Sequence, residues 1–135
     1  MRDPIPPTVA WRRGRVRLID QRALPQRLRF VECTTATELV RAIRDLVVRG
    51  APALGASGAY GVALAAHGRT RPAQVRADAA RLRAARPTAV NLAHGVDRAL
   101  AAYEAGGASA ALVAAEAYAA ADVAVNRALG AHGAV

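Results

Sequence analysis

Between two helical patterns the chain reads Val47-Val48-Arg49-Gly50-Ala51-Pro52-Ala53-Leu54-Gly55. A similar corner returns as Ala85-Arg86-Pro87-Thr88-Ala89-Val90-Asn91-Leu92. Each corner sets an arginine just ahead of a proline where a helix should begin. Proline suits the first helical turn because the N–H it lacks would have had no partner there. The remaining free N–H groups of such a turn can hold an anion, and an arginine can add a bidentate contact. The paired corners therefore suggest one phosphate held between two helix starts.

The patterns around these corners set the fold class. Thr35 and Glu38 have the spacing of a capping box, and Leu39, Ile43, Leu46 and Val47 follow as an apolar stripe. A second helix runs from Pro52 to about Ala66. Its Gly55, Gly58, Ala59 and Gly61 weaken an isolated helix and make sense as points of close approach. A third helix runs from Pro72 to about Ala84. A fourth is expected to open at Pro87, and a fifth to start at Ser109 after a Gly106-Gly107 loop and run to about Leu129. Upstream, Val9–Trp11 and Val16–Ile19 read as short strands around Arg13-Gly14, with a third extended piece over 27–32. The expectation is a mainly α domain: a short N-terminal β-hairpin or small sheet, then a bundle of about five helices.

Composition agrees with that class. The chain has 135 residues, 53% hydrophobic but only 4% aromatic. Much of the apolar content is alanine, the best helix former, which stabilises through close contact rather than bulk. The formal net charge is +9, and every basic residue is arginine. Residues 1–30 hold Arg2, Arg12, Arg13, Arg15, Arg17, Arg22, Arg27 and Arg29 against Asp3 and Asp20. A basic arm of this kind can meet nucleic acid, an anionic ligand or an acidic surface. Nucleic acid is disfavoured, because the arm has no interleaved aromatics and no known module; packing on a neighbouring domain or subunit is expected instead. A single cysteine, Cys33, excludes an internal disulfide. No stretch reads as a signal peptide or a convincing membrane span, so a cytoplasmic location is expected.

The candidate residues are few. Arg49 and Arg86 are either anion clamps or surface arginines that cap neighbouring helices. Asn91 can bond a sugar hydroxyl or fix a loop, and Thr88 is placed to donate to an oxyanion. His94 can assist an anion or face solvent. Asp97 fits a structural ion pair better than acid–base work. His67, His94 and His132 form no metal signature. Cys33 reads as a buried, unreactive thiol. No nucleophile–base pair, carboxylate dyad or metal set can be assembled.

Three motifs carry a resemblance: VRGAPALG (residues 48–55), ARPTAVNLAHGVDR (85–98) and NRALGAHGA (126–134). With Trp11 and LIDQRALP (18–25), they resemble the N-terminal third of the S-methyl-5-thioribose-1-phosphate isomerases. That family is related to the alpha, beta and delta subunits of eukaryotic translation initiation factor 2B. The resemblance implies that residues 1–135 form a sheet-plus-helical-bundle domain, with a Rossmann-like domain to follow. It implies an aldose–ketose isomerase of methionine salvage that uses no cofactor and no metal and assembles as a homodimer. It places Arg49, Gly50, Ala51 and Arg86 at the substrate phosphate and Asn91 as a further possible contact. The family's catalytic cysteine and aspartate fall in the second domain, so this chain is expected to hold no catalytic residue and to be inactive alone. An initiation-factor-like interaction module and a nucleic-acid-binding protein are the alternatives. The chain departs from the pattern at His94, where most relatives have an aromatic residue, usually tryptophan.

Overall fold

The computed structural model describes residues 7–68 and 71–133, with side chains described as far as Ala121. Three antiparallel strands come first: β1 (Val9–Arg12), β2 (Arg15–Ile19) and β3 (Phe30–Cys33), in the order β1-β2-β3. Arg13 and Gly14 turn the first hairpin, both with positive φ, as a two-residue hairpin loop requires. The register pairs Trp11 with Val16 and Val16 with Cys33. One face of the sheet thus carries Val9, Trp11, Val16, Leu18, Val31 and Cys33, and the other carries the arginines.

Helix α1 (Ala36–Arg44) starts at the expected cap: the Thr35 hydroxyl accepts the Glu38 N–H at 3.2 Å. The return bond differs from a standard capping box. Glu38 Oε1 accepts the N–H of Thr34 at 3.0 Å, one residue earlier than the cap itself. The helix ends in a Schellman arrangement. Val47 N–H donates to Ala42 O, Leu46 N–H donates to Ile43 O, and Leu46 takes φ 64°. This corrects the expected apolar stripe: Leu46 lies beyond the helix and is exposed, while Val47 and Val48 turn into the core.

Helix α2 (Ala51–His67) is the centre of the molecule, and every residue from Leu54 to Ala65 is buried. No charge occurs between Ala51 and Ala66, so the helix can be covered on all sides. Trp11 stacks on Tyr60 with ring centroids 6.3 Å apart and also meets His67, which joins the sheet to the end of α2. The His67 Nδ1–H donates to Ala63 O at 2.8 Å.

Helix α3 (Pro72–Ala84) opens on proline as expected. Arg83 grips Asp97 and Arg76 grips Glu104, each through two hydrogen bonds, and so tie α3 to α4. Asp97 is therefore an ion-pair residue.

Helix α4 spans Val90–Gly133 and carries one correction. It starts three residues after Pro87, which instead occupies a turn closed by Ala89 N–H to Arg86 O at 2.9 Å. Proline at the second position of such a turn is favoured because its φ is already set. The break expected at Gly106-Gly107 is present, as a kink rather than a loop: two helical stretches meet at Gly107, which takes φ 80° and ψ −163°. Ala108 and Ser109 resume the helix at once. The tail, with Ala124 and His132, lies outside the residues whose side chains are described.

Candidate functional site

The site grows from the way α1 stops. Its Schellman ending buries Val47 and Val48, and Gln21 N–H donates to Val47 O at 2.9 Å. The connection between α1 and α2 is thereby pinned against the loop that follows β2. Arg49 and Gly50 are left exposed at the rim. Gly50 is the N-cap of α2, with φ 92° and no side-chain cap. A residue with a Cβ would be strained at that φ, and glycine has no side chain to occupy the first-turn N–H groups.

On one side of this corner lies an open cleft of about 450 Å³, lined by Gly50, Ala51 and Leu54 of the α2 start and by Arg86, Thr88, Ala89, Val90 and Asn91. The start of α4 forms the second half of the wall. Ala93 N–H donates to Ala89 O at 3.3 Å, so Asn91 sits in the first turn of α4. Two helix N-termini thus share one hollow. Arg86, half-buried, is its charged lining residue, and among the described residues no carboxylate lines it. Helix starts carry positive partial charge, and an arginine adds a full one, so the hollow favours an anion.

Gly50, Ala51, Arg86, Thr88 and Asn91 are therefore brought together, as the two proline corners suggested. Arg49 is not part of this wall. It lines a neighbouring cavity of about 380 Å³ with Pro7, Thr8, Gln21, Pro52 and Ala56, and Gly50 is common to both. The reach from Arg49 to the first cleft is thus over the Gly50 corner.

What holds the two helix starts together is glycine packing. A Cβ on Gly95 would run into the carbonyl oxygen of Gly55, and one on Gly58 would lie 2.7 Å from Leu92 O. The backbones of α2 and α4 therefore cross with almost nothing between them. The sequence signalled this for α2, but the matching Gly95 was missed. It sits five residues into α4 as a single glycine in a helical run, and that is the signal that could have found it.

His94 is exposed near the same crossing. Its Nδ1 lies 3.2 Å from the Tyr118 hydroxyl, and the rings meet at a tilt. Tyr118 in turn presses on Gly55. Cys33 is buried at the end of β3, and burial pushes its thiol pKa up to about 11. It is far from being a thiolate nucleophile. No cluster of metal-ligating side chains occurs among the described residues, and no described helix is long and apolar enough to cross a membrane.

No family model matches the chain. Individual relatives do. A methylthioribose-1-phosphate isomerase of Alkalilimnicola ehrlichii is 49% identical over 94 residues, which cover 65% of this chain and 27% of that protein. One from Albidiferax ferrireducens is 44% identical over an alignment covering 94% of this chain and 40% of the relative. Among solved structures, the translation initiation factor eIF-2B delta subunit of A. fulgidus superposes with a TM-score of 0.73. It has 41% identity and covers 85% of this chain and 36% of its own. The 5-methylthioribose 1-phosphate isomerase of Pyrococcus horikoshii gives 0.66 at 26% identity, covering 90% of this chain and 36% of its own. The chain spans between about a quarter and two fifths of the length of these relatives. Through that stretch, by sequence and by fold, it is a member of the family that holds the methylthioribose-1-phosphate isomerases and the initiation factor 2B delta subunit.

Proposed function

We propose that this stretch is the phosphate-anchoring part of an aldose–ketose isomerase. The full protein would interconvert S-methyl-5-thio-alpha-D-ribose 1-phosphate and S-methyl-5-thio-D-ribulose 1-phosphate in methionine salvage. The observation that carries the reading is the acid-free cleft in which two helix starts meet Arg86. A sugar phosphate would set its phosphate against the Gly50 and Ala51 backbone, with Arg86 as a bidentate clamp and Arg49 closing over the corner. Asn91 would face a sugar hydroxyl.

In the isomerisation the bond from C1 to the ring oxygen breaks and that oxygen takes a proton. Hydrogen moves from C2 to C1, and the C2 hydroxyl loses its proton to become a carbonyl. Anchoring alone binds ground state and transition state alike, so it cannot speed those steps. The acid–base groups would come from a further, Rossmann-like domain. A cytoplasmic homodimer is the expected form of the full protein.

The test compares this chain with a protein that also carries the remaining length of the relatives. The short chain should bind methylthioribose 1-phosphate weakly and show no turnover; the long one should turn it over. Arg86→Ala should weaken binding by about 2–5 kcal/mol, the usual cost of removing one partner of a charge-assisted contact. Arg49→Ala should cost less, because Arg49 stands across the corner. Turnover by the short chain, or binding indifferent to both changes, would refute the reading.

A second reading is an interaction module like the initiation-factor subunit, favoured by the 41% identity and the TM-score of 0.73. It predicts stable assembly with an initiation-factor subunit and no response to the sugar phosphate.

A further inference from the structure

The sheet has a second face that the anion cleft does not use. The register sets Arg12 opposite Arg15, Arg17 opposite Glu32, and Ile19 opposite Phe30. Ile19 is buried, but Arg12, Arg15, Phe30 and Glu32 are exposed on this outward face, with Arg17 half-buried among them. Arg12, Arg13, Arg15 and Glu32 surround a shallow hollow of about 400 Å³ at the hairpin tip. Arg15 is paired with Glu32 at 3.1 Å. Among the described residues, Arg12 and Arg13 have no acidic partner. Beside them the Arg17 guanidinium lies over the Phe30 ring, 4.4 Å from its centroid, and Phe30 is 41% exposed.

We propose that this face binds single-stranded RNA. Phosphates would sit at the tip against Arg12 and Arg13, where positive charge exceeds the one carboxylate. A base would stack on the flat Arg17–Phe30 pair, since guanidinium planes and aromatic rings accept any base. The chain order hides this arrangement, because Phe30 is distant in sequence from Arg12, Arg13, Arg15 and Arg17 and the β2–β3 pairing brings it among them. An acidic protein surface would use the charges but gain little from the flat pair, and this is why RNA is the better fit.

The experiment is an anisotropy titration of the whole chain with a labelled oligouridine of about a dozen nucleotides, within the site sizes usual for such surfaces. It is run at about 0.05 and 0.15 M salt, and polyglutamate is the competitor. Saturable binding that weakens with salt and resists polyglutamate is expected. The double variant Arg12→Glu/Arg13→Asn keeps a residue tolerant of positive φ in the turn and should lower affinity at least about tenfold with a shallower salt slope. Phe30→Ser should lower affinity for the oligonucleotide while leaving binding of inorganic polyphosphate unchanged. Thermal unfolding of each variant checks that the sheet is intact. Absence of saturable binding at the lower salt would overturn the proposal, as would an intact double variant that binds equally well. Equal displacement by polyglutamate would assign the face to an acidic protein instead.

Discussion

At the scale of single residues, chemistry is decided by neighbours. Cys33 ends β3 under the helices, and burial raises its thiol to about 11. Native protein at neutral pH should therefore react with a thiol reagent far more slowly than unfolded protein. Timed alkylation with and without denaturant measures this, and equal rates would contradict the burial. Asp20 shows the opposite case. It is buried, yet it accepts two bonds from the Arg22 guanidinium and one from the Arg22 backbone N–H, all at 3.0 Å. The side-chain bond from Arg22 is the main cause that holds its carboxyl below the usual range. The acidic residue that the sequence shows only as one of two acids in the basic arm is thus an anchor for the loop that follows β2. Arg49 is the converse lesson. Its motif was legible, but which cavity its side chain borders depends on the backbone direction at Gly50, and sequence spacing carries no such information.

Helices α2 and α4 decide whether the cleft exists. Alanine normally exceeds glycine in a helix by about 1 kcal/mol, so propensity alone would make Gly95→Ala stabilising. The position touches the Gly55 carbonyl, so packing must win: the crossing has to open to admit a methyl group. The expected outcome is a loss of about 1–3 kcal/mol, the usual cost of overpacking, read from denaturant unfolding. A more stable variant would mean that α2 and α4 do not cross so closely. The same contact explains one error of element reading. Pro87 looked like a helix start because proline often is one, but a turn from Arg86 to Ala89 lets α4 begin where it can reach Gly55. Gly106-Gly107 marks the expected break, and one residue at positive φ, Gly107, suffices to make it.

For the whole molecule, acid is the informative variable. Asp20, Glu38 and Glu104 all have lowered pKa values, through side-chain bonds from Arg22, Thr34 and Arg76 respectively. A carboxyl that is more acidic when folded stabilises the fold fully above its unfolded value, about 3.9 for Asp and 4.3 for Glu. That stability is lost as pH falls through the lower, folded values. The thermal midpoint should hold from neutral pH down to about pH 5, and then fall steadily below about pH 4. Asp20→Asn should flatten part of that fall and lower stability at neutral pH by about 1–3 kcal/mol, since it weakens a bond between charged groups. A midpoint that rises on acidification would reverse the assigned direction.

The sequence by itself determined the helical class, the small sheet, the Thr35 cap, the glycine face of α2 and the two arginine-bearing corners. Each of these is local: a period, a cap or a turn is written within a few residues of where it acts. The tertiary structure alone decided that Gly95 meets Gly55, that Arg86 and Gly50 share a cleft while Arg49 borders the next one, and that Phe30 joins the arginines on the outer sheet face. Those outcomes depend on backbone contacts between residues far apart in the chain. They are set by how closely two helices or two strands can approach, which local pattern does not encode.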